Sequence, residues 1–362
     1  MDLHVLQANI NHSARAQDLL MQSMAECLIN IAIVAESYYV RPRDNWVGDE
    51  EGLVALISSG SPPMENKSRG RGFVASHVGD LLVVGVYFSP SRQLAEFEEF
   101  LGRLGTFVGS NRSRPVIIAG DFNAKSTAWG SPVTSARGRL VEEWALELGL
   151  VLLNRGRVQT CVRHNGGSIV DLSFASPVIG RRISDWRVVE GSETLSDHRY
   201  IRFSVSTNSS PSHTQRRAIE SGEGPRWALK KLNREDLEEA AIVLGWATPV
   251  HSASIDIDEE AMQFRQALTH LCDAAMPRIR YRGPIKRHVY WWSQEIAELR
   301  RACVNARHRY TRFRRRRRRR PEDAPVRESE LYGLYTTAKK DLQLTIKAAK
   351  VRAREELLAI LG

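Results

Sequence analysis

Cysteine is scarce in this sequence. There are four in 362 residues, Cys27, Cys161, Cys272 and Cys303, and no two stand in CxxC spacing. That excludes a disulfide framework and a zinc module, and makes a reduced, intracellular compartment the expectation. Long apolar runs are missing as well. The longest, 27–35 and 81–88, fall far short of the roughly 20 residues that a membrane-spanning helix needs. Asp2 and His4 stand where a secretory signal would carry a basic stretch, so no signal is visible. A soluble protein without a membrane partner is expected. Hydrophobic residues make up 42% and there are 25 glycines, ordinary globular usage that excludes wholesale disorder and collagen-like repeats.

The first half of the chain also lacks any charge excess. Residues 1–206 hold 21 Lys and Arg against 22 Asp and Glu, whereas the remainder holds 31 against 20. The net charge of +10 therefore belongs to the C-terminal part. This division suggests a near-neutral catalytic or binding body joined to a tail that seeks polyanions.

Short Val- and Leu-rich runs bounded by Gly, Pro and Ser read as strands over 3–10, 53–57, 72–77, 81–87, 115–119, 150–153, 169–174, 183–189 and 199–205. The apolar run 31–36 ends in an acid. Helical spacing covers 13–28, 93–108 and 137–148. These elements do not alternate as in a doubly wound βαβ protein. Two sheets packed face to face with helices outside account for them better. The first domain is expected over 1–205. The Ser-, Pro- and Gly-rich segment 206–225 has linker composition, and 226–362 reads as a mostly helical, Arg-rich extension.

Polar residues recur where apolar strands stop: Asn9 after the first, Glu36 after 31–35, Tyr87, then Asp121 and Asn123 in Gly120-Asp121-Phe122-Asn123, and Asp197 and His198 after Ser196. Asp171 stands between Val170 and Leu172. Singly, most of these read as turn formers, and Tyr87 as a half-buried core residue. A carboxylate ending a buried run, as Glu36 does, is costly unless a cation or donor meets it. Together they hold what phosphodiester hydrolysis requires. Glu36 and the Asn9 amide oxygen could supply part of a water-rich Mg²⁺ shell. Asp121 could accept a proton from the attacking water. His198, the Asn123 amide and the Tyr87 hydroxyl could face charge on the phosphoryl oxygens, with Asp171 holding His198.

At these residues the chain resembles the endonuclease/exonuclease/phosphatase superfamily, whose signature elements occur in the same order over some 200 residues. The resemblance implies a four-layered α/β sandwich and Mg²⁺-dependent phosphoester cleavage, Mn²⁺ being a possible substitute. It places Asn9, Glu36 and Asp197 at the metal, Tyr87 at the phosphate, Asp121 and Asn123 at water and phosphate, and Asp171 behind His198. More narrowly, Gln159-Thr160-Cys161, the run from Gly167 to Phe174, and Trp129-Gly130 are similar to the endonuclease domain of non-LTR retrotransposon polyproteins. Thr160 and Ser168 are implied as phosphate or DNA contacts. Tyr290-Trp291-Trp292-Ser293 and the basic helix after it are similar to the segment that joins endonuclease to reverse transcriptase there. No Tyr-x-Asp-Asp-like polymerase motif occurs in the sequence, so a truncated or separately encoded piece without its polymerase is expected. Ser37-Tyr38 follows Glu36 where many relatives have Pro-Tyr.

Arg314, Arg315, Arg316, Arg317, Arg318, Arg319 and Arg320 form an uninterrupted run closed by Pro321. Like charges at that density are expected to be solvated, either as a charged linker or as salt-dependent contacts to phosphates of DNA or of element RNA, with nuclear import as a second role. Trp291 and Trp292 could stack on bases or bury against the following helix. The expectation is a nuclear, Mg²⁺-dependent endonuclease that nicks target DNA and leaves a 3′-hydroxyl able to prime reverse transcription, without a small-molecule cofactor. A repair-type apurinic/apyrimidinic endonuclease or a phosphatase on the same scaffold, and a catalytically silent nucleic-acid binder, are the alternatives.

Overall fold

In the computed structural model, residues 2–164, 166–206, 227, 229–247, 257–277, 288–315 and 324–361 are described. Two six-stranded sheets organise the first part. The first sheet takes β1 (Asp2–Asn9), β2 (Ile31–Ala35), β3 (Trp46–Gly48), β4 (Val54–Ser58), and later β13 (Ile183–Val188) and β14 (Ile201–Ser206), in the order β13-β14-β1-β2-β4-β3. The second takes β5 (Met64–Gly70), β6 (Phe73–Val78), β7 (Leu81–Tyr87), β8 (Val116–Asp121), β9 (Val151–Leu152) and β12 (Asp171–Ala175), in the order β5-β6-β7-β8-β12-β9. Each is mixed: β1 runs parallel to β2 and β7 to β8, and the other pairs are antiparallel. A separate hairpin joins β10 (Cys161–Arg163) to β11 (Gly166–Ser168).

Alternation along the strands builds the layers. Odd-numbered Leu3, Val5, Ile31, Ile33, Val83, Ile117 and Ala119 fill the space between the sheets. Their even-numbered neighbours face outward and are covered by helices. Over the second sheet lie α2 (Leu94–Ser110) and α3 (Ala136–Glu147), burying Phe97, Phe100, Leu104 and Trp144 against Ile118 and Phe174. Over the first lies α1 (Ala14–Glu26), started by a Ser13 hydroxyl that accepts from the Ala16 N–H, with Leu19 and Leu20 against Leu6 and Val34. A one-turn α4 (Pro177–Gly180) precedes β13. Helix, sheet, sheet, helix is the four-layered sandwich that the sequence led us to expect.

The described chain falls into two units, residues 1–208 with 286–362, and residues 209–285. In the second, α5 (Arg234–Ala247) packs on α6 (Ile257–Ala275), and the Trp227 indole donates to Asp273. In the first, α7 (Gln294–Arg315) and α8 (Ala324–Leu361) lie in the helical layer of the first sheet. Trp291, Ile296, Cys303, Leu342 and Ile346 join the cluster of Leu6, Leu20 and Val34. This return of the C-terminal helices onto the strand domain was not legible as such in the sequence. Trp291 is buried there, and Trp292 is half-buried, stacked on His288 beside Arg300. No described helix is long and apolar enough to cross a membrane.

Candidate active site

The strand alternation that fills the core also carries polar side chains to one rim. Gln7 and Asn9 continue the inward-facing series of Leu3 and Val5, Tyr87 that of Leu81 and Val83, and Asp121 that of Ile117 and Ala119. Register aligns them. Asn9 is opposite Ala35, Tyr87 opposite Asp121, and Asp121 opposite Asp171. Gln7 ties the sheets together just beneath, its amide donating to the Gly120 and Leu172 carbonyls while its oxygen accepts from the Ser173 hydroxyl. Gly120 lets β7 and β8 run close at this point, since a Cβ there would stand 1.8 Å from the Val86 carbonyl oxygen. Glu36 and Asn123, at the two strand ends, take left-handed backbone angles of φ 48° and 47°. For residues with a side chain that is a strained choice, of the kind that marks functional turns.

The side chains meet in two hydrogen-bonded groups, Glu36–Asn9–Asp121–Asn123 and Asp171–His198, that approach to 3.9 Å. The Asn9 amide nitrogen donates to Glu36 Oε1 at 2.9 Å and to Asp121 Oδ2 at 3.0 Å. Asn123 donates to Asp121 twice, from its backbone N–H at 2.9 Å and from its side chain at 3.1 Å. His198 Nδ1 lies 2.8 Å from Asp171 Oδ2, and His198 Nε2 lies 3.9 Å from Asp121 and 4.0 Å from Asp197. Asp197 is held by Arg163 at 2.6 Å. Its carboxyl is kept below the usual range: burial opposes this, but the Arg163 hydrogen bond and the His198 charge prevail.

Burial sets the charges of the central pair. It pushes Asp121 up to about 7, reinforced by Asp171 across the strand and opposed by His198 and the donors from Asn123 and Asn9. For His198 burial disfavours the charged ring, yet Asp171 outweighs it by charge and hydrogen bond and raises the imidazole well above its ordinary value. Asp171 thus favours the protonated ring, with one N–H given to Asp171 and the other aimed between Asp121 and Asp197. The Tyr87 hydroxyl is raised by burial and by Glu36, which keeps it a neutral donor at this rim.

Carboxylates outnumber cations here, and their donors are oxygen. Asp121, Asp171 and His198 place ligand-capable atoms within 4.8 Å of one another, as do Cys161, Asp197 and His198. Between Glu36 and Asp121, the Asn9 amide N–H groups occupy the position where a cation would neutralise both carboxylates. An oxygen-rich, negatively charged rim of this kind suits a hard divalent ion better than a soft one. One detail departs from expectation: the Asn9 oxygen accepts from the Asn11 N–H at 2.9 Å, so the nitrogen and not the oxygen faces the acids.

Other expected contacts fall elsewhere. Thr160 is fully buried, its hydroxyl accepting from the Val170 and Asp171 N–H groups at 3.2 Å each. That removes it from reach of a phosphate and makes it a brace for the strand that carries Asp171. Ser168 lies at the end of β11 and lines a cleft of about 450 Å³ with Asn123, Lys125, Arg163 and His198. Arg314 is not freely solvated: it sits in α7, pairs with Glu328 at 3.1 Å and lies over Tyr310. Arg315 ends the same helix, and Arg316 to Arg320 lie outside the described residues. Sequence reasoning missed Arg163 and His12, the latter 3.6 Å from Glu36. Neither belongs to a motif. Only the Cys161-Val162-Arg163 alternation, which turns Cys161 and Arg163 to one face, hinted at the first.

Comparison with known proteins agrees with the likeness read from the sequence. Residues 81–202 match the model of the endonuclease–reverse transcriptase family. The chain is 26% identical over 218 residues to the 115 kDa protein in type-1 retrotransposable element R1DM of Drosophila melanogaster, covering 57% of this chain and 20% of that protein. It is 26% identical over 247 residues to the Pol polyprotein of retrotransposable element R1 of Bradysia coprophila, covering 65% and 23%. The chain thus spans about a fifth of the length of these curated relatives. Among solved structures, the endonuclease domain of TRAS1, a telomere-specific non-LTR retrotransposon, is 28% identical with a TM-score of 0.49, covering 57% of this chain and 98% of that one.

Proposed function

From a chain of the endonuclease/exonuclease/phosphatase type, akin to retrotransposon endonucleases, we propose an enzyme that nicks DNA with Mg²⁺, Mn²⁺ being able to substitute. The observation that carries this reading is the gathering of Glu36, Asn9, Asp121, His198 and Asp171 at one rim of the sandwich, hydrogen-bonded from Glu36 through Asn9 to Asp121 and from His198 to Asp171, with His198 Nε2 3.9 Å from Asp121.

Each residue has work that its surroundings suit. Asp121, once ionised, accepts the proton of the attacking water, held in place by Asn9 and Asn123. His198 directs its Nε2–H to the non-bridging phosphoryl oxygens, where charge grows in the transition state, and Asp171 fixes its tautomer and charge. Asn123 and Tyr87 add neutral donors. Glu36 and Asp197 would hold Mg²⁺, with Asn9 joining them once its amide turns its oxygen toward Glu36. The bound ion would neutralise charge on the scissile phosphate and the departing oxygen. Cleavage on the 3′-oxygen side leaves a 5′-phosphate and a 3′-hydroxyl, and the latter could prime a reverse transcriptase. Chromosomal DNA as target would place the protein in the nucleus.

Supercoiled plasmid tests the proposal. Mg²⁺ should convert it to the open-circular form, EDTA should prevent this, and Asp121→Ala and His198→Ala should abolish it. Equal inertness of wild type and both variants would leave a silent binder. Strong preference for an abasic duplex would indicate a repair enzyme, and release of phosphate from a soluble monoester would indicate a phosphatase.

A further inference from the structure

We propose that helices α7 and α8 form part of the DNA-binding surface, holding the backbone of the cut strand beside the scissile phosphate. The inference rests on the nuclease reading above.

A second cleft, of about 220 Å³, opens on the far side of the β10–β11 hairpin from the one already described. Arg163 and His198 line both, so the two clefts flank the candidate active site. The floor of the second comes from the strand domain and its opposite wall from the helical pair. Five cations line it: Arg163, Arg199, Arg307, Arg314 and Lys339, against the single acid Asp197. Three of the five belong to α7 and α8. A phosphodiester chain crossing His198 must leave the site on both sides, and on this side it passes guanidinium groups and the Lys339 ammonium.

The wall is fixed in place rather than loosely tethered. Arg307 donates to the Ser192 carbonyl at 2.6 Å and to the Glu190 carbonyl at 3.1 Å, and pairs with the fully buried Glu193 at 3.3 Å. Arg300 binds Glu26 at 3.0 Å and the Ser23 hydroxyl at 2.9 Å. At the hairpin, Arg314 donates to the Arg163 carbonyl at 3.3 Å, and the His164 and Tyr332 rings lie 5.9 Å apart. Four of the lining cations have acidic partners: Arg163 with Asp197, Arg199 with Glu190, Arg307 with Glu193 and Arg314 with Glu328. Among the described residues Lys339 shows no ion pair, which makes it the cation most available to a phosphate.

The test uses the full chain and a labelled DNA duplex, with binding followed by anisotropy in EDTA and nicking followed in Mg²⁺. Lys339→Gln should weaken duplex binding severalfold and lower the slope of log affinity against log salt by about 1, as for one lost phosphate contact. Lys339→Glu should weaken it further, and Lys339→Arg should restore it. Melting temperatures should stay those of the wild type, and the loss in nicking should fall on KM. Unchanged affinity and slope in folded Lys339→Gln and Lys339→Glu would overturn the proposal, as would a change seen with an RNA hairpin but not with the duplex. Wild type that cuts, with variants sharing its KM, would sink this inference alone. Wild type that binds through Lys339 but never cuts would sink the nuclease reading instead.

Discussion

Asp121 and Asp171 are direct cross-strand partners on the antiparallel β8–β12 ladder, yet their carboxylates address different nitrogens of His198. Asp171 lies 2.8 Å from Nδ1, and Asp121 lies 3.9 Å from Nε2. One imidazolium therefore separates two acids that would otherwise repel.

That arrangement predicts an alkaline limb. The His198 folded-state value is raised, so the proton is held through neutral pH and lost only well above the ordinary imidazole range. Activity that needs His198 as donor should fall on the alkaline side. In Asp171→Asn the chief raising influence is gone, and the fall should move toward neutrality. The same sign holds for stability. The His198–Asp171 contribution is full below the unfolded imidazole value and fades as pH rises through the folded one. A pH–rate profile of nicking, paired with melting curves of both proteins, checks this. An unmoved alkaline limb in the variant would count against it.

Asp121 predicts the opposite limb and a link to metal. Its carboxyl is pushed up to about 7, above its unfolded value, so ionising it in the metal-free protein works against folding as pH rises toward neutrality. Mg²⁺ held at Glu36, next to Asp121 through Asn9, would favour the ionised form of Asp121. The rise in melting temperature on adding Mg²⁺ should therefore grow between about pH 5 and pH 8. Asp121→Asn should flatten that growth and lower nicking by roughly 10²- to 10⁴-fold. Calorimetric scans across pH, with and without Mg²⁺, decide it.

Gly120→Ala should be among the most damaging small substitutions. A Cβ there would stand 1.8 Å from the Val86 carbonyl oxygen, so β7 and β8 must part directly beneath Asp121. A loss of roughly 3 kcal/mol or more is expected, in the severe class of single mutations. Gly52→Ala, at a positive φ with open space around it, should cost about 1 kcal/mol. Urea titrations of the two variants give the comparison.

Arg307→Ala should loosen the helical pair. It strands the Glu193 carboxylate, which is fully buried and 3.3 Å from the guanidinium. Breaking one partner of a buried pair costs about 3–5 kcal/mol. The expected sign is early protease cleavage within 294–315 while the strand domain stays resistant. Wild-type resistance of that helix in the variant would show that the pair contributes little.

The rim was legible in the sequence because strand ends are legible. Glu36, Tyr87 and Asp121 each follow a Val- or Ile-rich run and Asn9 a Leu-containing one, and period-two alternation puts Asn9, Tyr87 and Asp121 on one face. The polar strands were harder to see. β5, Met-Glu-Asn-Lys-Ser-Arg-Gly, is mostly exposed at the edge of its sheet and offers no apolar alternation. The β10–β11 hairpin contains two glycines and three residues a side, too short for a period to show. Thr160 was implied as a phosphate or DNA contact by resemblance alone, and a motif does not record whether its hydroxyl points out or braces a neighbouring strand, as it does here. The seat of α7 and α8 depends on Ile296, Cys303, Leu342 and Ile346 meeting a sheet nearly three hundred residues earlier, which no local pattern records.

The first strand is made earliest and completed latest. β1 lacks its antiparallel neighbour until residues 201–206 exist, and its outer face joins a cluster that closes only with Leu342 and Ile346. Contacts so distant in sequence make assembly slow. Until Leu342 and Ile346 are made, α1 alone covers that outer face, and part of its apolar surface stays open to contacts with other chains.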